Sequence, residues 1–149
     1  MKRKLKNNVP ITGPLLGIIM ALTSCNPGTF HHRINQYDSQ GRRQGKWISY
    51  WDEAKKIPMN IENYKNGREN GYCRYYYMDG TKRLQFKAFK NGHMKVKYYT
   101  ETGLLEKKGP AVMIYNPQEI RYSWNGIWKF YENRQLIRKT EYYMGEEIP

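Results

Sequence analysis

The chain has 149 residues, 39% of them hydrophobic, and this length supports one small domain with little room for a second. Its 26 lysines and arginines outnumber its 13 acidic residues, and a net charge of +13 would ordinarily raise nucleic acid or an anionic membrane as a partner. Only two cysteines are present, too few for a disulfide framework.

The amino terminus has the pattern of an exported precursor. A basic segment at residues 2–6 precedes an apolar run at residues 15–22, and small residues then lead to Cys25. The run is too short to be a membrane span, because a helix of that length, at about 1.5 Å per residue, does not cross a hydrocarbon layer about 30 Å thick. The pattern predicts a signal peptide at residues 1–24.

The segment Leu22-Thr23-Ser24-Cys25 resembles the lipobox of bacterial lipoproteins. The resemblance implies a mature chain that begins at Cys25, with a diacylglycerol on its sulfur and usually an acyl chain on its amino group, and such chains suffice for stable anchoring. Asn26 is not the Asp that marks inner-membrane retention in some bacteria, so we expect an outer-membrane lipoprotein of the cell envelope that faces the periplasm. The alternatives are an ordinary secretory signal or an uncleaved anchor.

Residues 25–36 lack any periodicity and are predicted to be a lipid-anchored tether to a repeat domain at residues 37–149. The pair His31-His32 lies in this tether without further ligands at workable spacing, so it predicts a polar linker and no metal site. No cofactor is expected.

The domain is built from a recurring unit. Its clearest copy runs from Tyr64 to Gly80 and contains a strand end, an Asn-Gly turn at Gly67, an aromatic strand and an Asp-Gly turn. Related copies recur about every 25 residues, and self-similarity at a fixed period indicates stacked supersecondary units. A fourth copy at 122–131 repeats the pattern Gly-x-Trp-x-x-Tyr that begins at Gly45.

The segments between turns alternate apolar and polar residues, as at 57–62 and 83–88, and this period of two predicts half-buried strands. Tight turns, including one at Asn125-Gly126, would make neighbouring strands antiparallel. The expected fold is therefore all-β, an extended antiparallel meander of consecutive β-hairpins.

The period is disturbed between the third and fourth copies. Gly92 and Gly126 are separated by about nine residues more than the period predicts, so we expect an insertion within residues 104–121, and insertions of this kind often lie on a binding face. In the third copy Val96 takes the place that Gly71 has in the second.

Alternation assigns the aromatic strands two faces. The more apolar face, with Trp47, Cys73, Tyr75, Trp128 and Phe130, is expected to form the core, and Cys73 is then a buried thiol.

The other face is the candidate binding face. It is expected to place three tyrosines in register, interleaved with basic residues, and its members are Tyr50, Arg74, Tyr76, Lys129 and Tyr131. The alternative is that these residues are only the solvated side of a one-layer sheet.

These glycines and aromatics resemble the MORN repeat family, and in particular its bacterial variants, which are often labelled antitoxin-like. Asn66-Gly67, and the Gly-x-Trp-x-x-Tyr segments at 45–50 and 126–131, carry the resemblance. It implies an extended sheet of consecutive hairpins and a role in protein or membrane contact. The resemblance assigns no catalytic residue to this chain.

Nothing in the sequence points to an enzyme active site. The aspartates lie in or beside turns, the three histidines form no triad, and the glycines do not lead into a helix that could hold a phosphate. Export would remove nucleic acid as a partner, and no small-molecule substrate is evident. The expected partners are the membrane, through Cys25, and a protein or an anionic envelope component such as lipid headgroups, lipopolysaccharide or acidic glycan.

Three functions follow as hypotheses. The first is a non-catalytic, membrane-anchored lipoprotein whose sheet is a scaffold that binds a protein or an envelope component. The second is an envelope immunity or antitoxin-like protein that neutralises a toxin, and the third is an enzyme of cell-wall or glycan turnover.

Overall fold

The computed structural model of the chain describes residues 33–116 and 118–149. The predicted signal peptide at 1–24, the lipidation site Cys25 and most of the predicted tether at 25–36 lie outside the described residues.

Twelve β-strands make up the regular structure of the described residues. They are β1 (Gln36–Tyr37), β2 (Arg43–Tyr50), β3 (Pro58–Lys65), β4 (Arg68–Glu69), β5 (Gly71–Tyr76), β6 (Lys82–Ala88), β7 (His93–Tyr99), β8 (Leu105–Tyr115), β9 (Ile120–Trp124), β10 (Gly126–Glu132), β11 (Gln135–Tyr143) and β12 (Glu146–Ile148).

All the strands belong to one antiparallel sheet. Its order is β1-β2-β3-β5-β6-β7-β8-β10-β11-β12, with β4 paired to β3 and β9 paired to β8. The predicted all-β meander of hairpins is confirmed. Within residues 33–116 and 118–149, no helix is long and apolar enough to cross a membrane.

Two long strands, β3 and β8, each pair along one edge with two shorter strands that lie end to end. β3 pairs with both β4 and β5, and β8 pairs with both β9 and β10. Asn70 and Asn125 occupy the breaks, where their backbone N–H groups donate to the carbonyl oxygens of Asn63 (2.8 Å) and Pro110 (3.2 Å). The predicted hairpin turn at Asn125-Gly126 is therefore wrong, because β9 and β10 run in the same direction along β8.

The insertion is an elongated hairpin. The distal half of β8 pairs with β9, from Ala111 opposite Trp124 to Tyr115 opposite Ile120. The copy at residues 64–80 lacks the insertion, and the two-residue strand β4 takes the position that β9 has in the longer hairpin.

The register also corrects the alignment of the third copy. Cys73 pairs with Phe86, and Phe86 pairs with Val96, so Val96 is equivalent to Cys73 rather than to Gly71. The residue in the row of Gly71 is Met94, which is opposite Ala88. Residues 66–70, which include β4, separate β3 from β5, whereas residues 89–92 separate β6 from β7 without an intervening strand, so equal spacing from the two Asn-Gly pairs does not reach equivalent rows.

The core lies on the face that the sequence predicted. Its buried cluster is Cys73, Phe86, Ala88, Met94, Val96, Ala111 and Trp128, with Tyr75 and Phe130 packed against it. We call this side the core face and the opposite side the outer face.

Trp128 fills the centre of the core face. Its ring stacks on Trp124 with centroids 3.8 Å apart, and its indole N–H donates to the Pro110 carbonyl oxygen at 2.8 Å. The ring lies directly over Gly109, where a Cβ atom would be 2.6 Å from Cε2 of Trp128. Only glycine at this position allows the tryptophan to lie flat on the backbone of β8.

We therefore expect Gly109→Ala to lower the free energy of unfolding by about 1–3 kcal/mol, because the added methyl group must displace the Trp128 ring. Gly41→Ala is a suitable control, since a Cβ atom there meets nothing within 4 Å and only its positive φ is unfavourable. Urea unfolding, monitored by tryptophan fluorescence, measures the free energy of unfolding of both variants. The loss in Gly41→Ala reports the positive φ alone, and a Gly109→Ala variant as stable as the original chain would contradict the role of Gly109.

Candidate anion-binding surface

Arg74 and Lys129 lie in one cross-strand row of the outer face. Arg74 of β5 is opposite Gln85, which is opposite Lys97, which is opposite Lys108, which is opposite Lys129. Three strands lie between Arg74 and Lys129, so their Cα atoms are about 19 Å apart at the usual strand spacing. They share a row without being neighbours.

The three tyrosines occupy equivalent ends of β2, β5 and β10 and are half-buried. A shift of register occurs beside each, at Tyr50, Tyr76 and Tyr131. Tyr131 contacts the row, with its ring centroid 5.1 Å from Nζ of Lys108. The other two lie on strands remote from β10, so the tyrosines do not form one continuous patch.

The strongest feature of this face is a set of four lysines, of which the sequence predicted only Lys129 as a binding residue. Lys97, Lys108, Lys129 and Lys139 stand directly opposite one another on the adjacent strands β7, β8, β10 and β11. Their backbones span about 14 Å at the usual strand spacing. We call these residues the lysine row.

None of the four lysines of the row forms an ion pair with a described residue. Like charges directly opposite each other destabilise a sheet, and the repulsion is felt most at low ionic strength. The row therefore costs stability unless an anion lies against it.

Further cations and aromatics extend the surface around the row. Lys87 is opposite Lys95 on the same face, and the guanidinium of Arg74 lies 5.6 Å from the ring centroid of Tyr72. Beside Lys129, the side chain of Ile127 is 54% exposed. The outer face thus combines closely spaced positive charge with accessible apolar groups.

The opposite face offers little accessible chemistry at its cysteine. Cys73 is fully buried, and burial raises the pKa of its thiol to about 12. Nearby, Glu62 is buried and accepts a hydrogen bond from the Tyr75 hydroxyl. These groups serve the packing of the core face, as expected for Cys73.

Comparison of the chain with protein-family models, with curated proteins and with solved structures found no match. The resemblance to MORN repeats remains a prediction from the sequence motifs. In the described part of the chain, no group of three or more His, Cys, Asp or Glu side chains is placed to hold a metal ion.

The lysine row yields a prediction about stability. Lys129 has a lysine on each side, so Lys129→Gln removes two repulsive pairs and should raise the free energy of unfolding by about 0.5–1 kcal/mol at low salt. Lys56→Gln, at an exposed position in the β2–β3 loop, is the charge-matched control. Urea unfolding at low and high salt measures the effect. If Lys129→Gln is destabilising at low salt, the row is not under repulsion.

The buried thiol yields a second prediction. In a Cys25→Ala chain Cys73 is the only thiol. It should not react with Ellman's reagent at about pH 8 in the folded protein, because it is shielded and protonated, and it should react fully in guanidinium. Rapid stoichiometric reaction of the folded chain would show that Cys73 is accessible.

Proposed function

We propose that this chain is a non-catalytic, lipid-anchored protein of the cell envelope, with a MORN-like sheet that serves as a binding scaffold and an outer face that lies against the anionic surface of the membrane. The observation that carries the proposal is the row of four directly opposed lysines, none of which forms an ion pair with a described residue. The proposal also includes the outer membrane as the location, from the sequence around Cys25.

The charge of the row suits an anionic lipid surface. Each lysine close to such a surface contributes about 1 kcal/mol of binding, so the row would supply about 4 kcal/mol. Lys97 and Lys139 are exposed, and Lys108 and Lys129 are half-buried with their ammonium groups on the same side of the sheet. Exposed Ile127 beside them would enter the headgroup region.

The predicted anchor makes this contact favourable. Stable membrane binding takes two signals, such as acyl chains and a polybasic patch. Even fully extended, the residues between Cys25 and Asn35 span only about 35 Å, and Asn35 is hydrogen-bonded to β2 through Ile48. The membrane would therefore be present at high effective concentration beside the sheet.

A membrane is favoured over a protein or a glycan because the four lysines of the row lie on one open face and not in a pocket. The toxin-neutralising and glycan-acting hypotheses gain no specific support from the outer face. They become the better hypotheses if the lipid experiment fails.

The test is sedimentation of residues 26–149 with vesicles of phosphatidylglycerol and phosphatidylethanolamine, and with phosphatidylcholine vesicles. Replacing Lys97, Lys129 and Lys139 with Gln should weaken binding to the anionic vesicles roughly hundredfold, since about 3 kcal/mol is lost. The charge-matched control replaces Lys55, Lys56 and Lys90, which are exposed turn residues.

In that experiment the control variant should bind like the original chain, and neither should bind phosphatidylcholine. Equal weakening of the two triple variants would mean that net charge, and not the row, attracts the protein. No binding to anionic vesicles at low salt would overturn the proposal.

The anchor is tested separately by Cys25→Ala in cells. Loss of the lipidated residue should move most of the protein from the membrane pellet to the soluble fraction after a wash at high salt, because the acyl chains are gone and the charge attraction is screened. Fractionation and immunoblotting measure the change. Unaltered pelleting in high salt would contradict lipidation at Cys25.

A further inference from the structure

A cavity of about 500 Å³ lies where three hairpin ends of the molecule meet. The turn after β3 contributes Asn66, the turn between β6 and β7 contributes Lys90 and Gly92, and the end of β8 contributes Tyr115. Its volume falls within the range of small-molecule sites in proteins. The cavity is separate from the lysine row, and none of the four row lysines lines it.

The elongated β8–β9 hairpin builds one wall of this cavity. The Tyr115 hydroxyl donates a hydrogen bond to the carboxylate of Glu69, and the Arg68 guanidinium lies 4.6 Å from the Tyr115 ring centroid. The Met113 N–H donates to the Gly92 carbonyl oxygen at 2.8 Å. These contacts hold the insertion against the two turns.

Gly92 is required for this closure. Its φ is +82°, and a Cβ atom would lie 2.6 Å from the Met113 carbonyl oxygen. The close approach of two backbones sets the shape of the cavity, so the wall is fixed by hydrogen bonds rather than by side-chain packing alone.

The lining divides into an apolar part and a basic part. Ala88 and Met94 are buried members of the core cluster, and Met113 packs against that cluster. The basic part contains Lys65, Arg68 and Lys90, all exposed.

The positive charge of the basic part is available to a ligand. Lys65, Arg68 and Lys90 form no ion pair with the described residues, whereas Arg42 is paired with Asp38 at 2.8 Å. Glu69 is the one acid of the lining, and its carboxylate already accepts the hydrogen bond from Tyr115. An anion entering the cavity would therefore meet an excess of cations.

We propose that this cavity binds a small amphipathic carboxylate, with the apolar body against Ala88, Met94 and Met113 and the carboxylate at Lys65 and Lys90. A cationic amphiphile would be repelled by the basic side chains, and a neutral one would gain no charge attraction from them. The proposal stands independently of the outer face.

The probe is decanoate below its micelle concentration, measured by equilibrium dialysis against the full-length chain carrying Cys25→Ala. We expect saturable binding of one decanoate per cavity, weakened at least about tenfold in the double variant Lys65→Gln and Lys90→Gln, since two charge contacts are lost. Arg68→Gln should weaken it as well. Lys55→Gln with Lys56→Gln, at exposed positions of the β2–β3 loop outside both the cavity and the lysine row, is the charge-matched control and should leave decanoate binding unchanged.

Decanol and decylamine, at matched concentration, should not displace decanoate. The amino-terminal apolar segment is common to every variant, so differences between variants report on the cavity. Decanoate binding that is insensitive to both the double variant and Arg68→Gln, or that decylamine displaces equally well, would overturn the proposal. Because neither Lys65 nor Lys90 belongs to the lysine row, failure of this proposal is distinguishable from failure of the proposed membrane contact.

Discussion

A sheet of one layer has no second layer to cover either of its faces, and this constraint shapes the described molecule. The core is formed by concentrating large side chains on one face, with Trp128 lying flat on the backbone at Gly109 and stacked on Trp124. Nearly all the apolar burial is used there. The outer face carries mostly charged and polar residues, with a few exposed apolar side chains such as Ile127 among them.

The division explains why the lysines can line up. On a face that is covered by protein, four opposed ammonium groups would be excluded by the free energy of desolvation. On an open face they remain hydrated, and the repulsion between neighbours costs only a modest amount of stability. That cost is offset when an anionic surface neutralises the row. Binding therefore explains the lysine row better than folding stability does.

Much of the fold could be predicted from the sequence, because glycines and aromatics report local geometry. The turns at Gly67 and Gly92, the strand alternation and the burial of Cys73 all depend on residues close together in the chain. The hairpin turn predicted at Asn125 is wrong because Asn-Gly suits both a hairpin turn and a break between two collinear strands. Sequence cannot say which edge the next strand will use.

The candidate surfaces were harder to predict for the same reason. Arg74 and Lys129 were found by their repeat positions, whereas Lys97, Lys108 and Lys139 depend on the register of five strands. A register is set by turn lengths and bulges that shift it by one residue at a time. The cavity depends on contacts between Glu69 and Tyr115, far apart in the chain, and no local signal marks them.

The most direct measurement of the central claim is paramagnetic relaxation in anionic bicelles that contain a gadolinium-chelating lipid, recorded by NMR on residues 26–149. If the outer face lies on the membrane, the strongest broadening will fall on the side chains of Lys97, Lys129 and Lys139 and on the methyl groups of Ile127. Signals of the core face, such as Met94, will be broadened least. Broadening strongest at Met94 or at the β2–β3 loop, with the lysine row unaffected, would contradict the account.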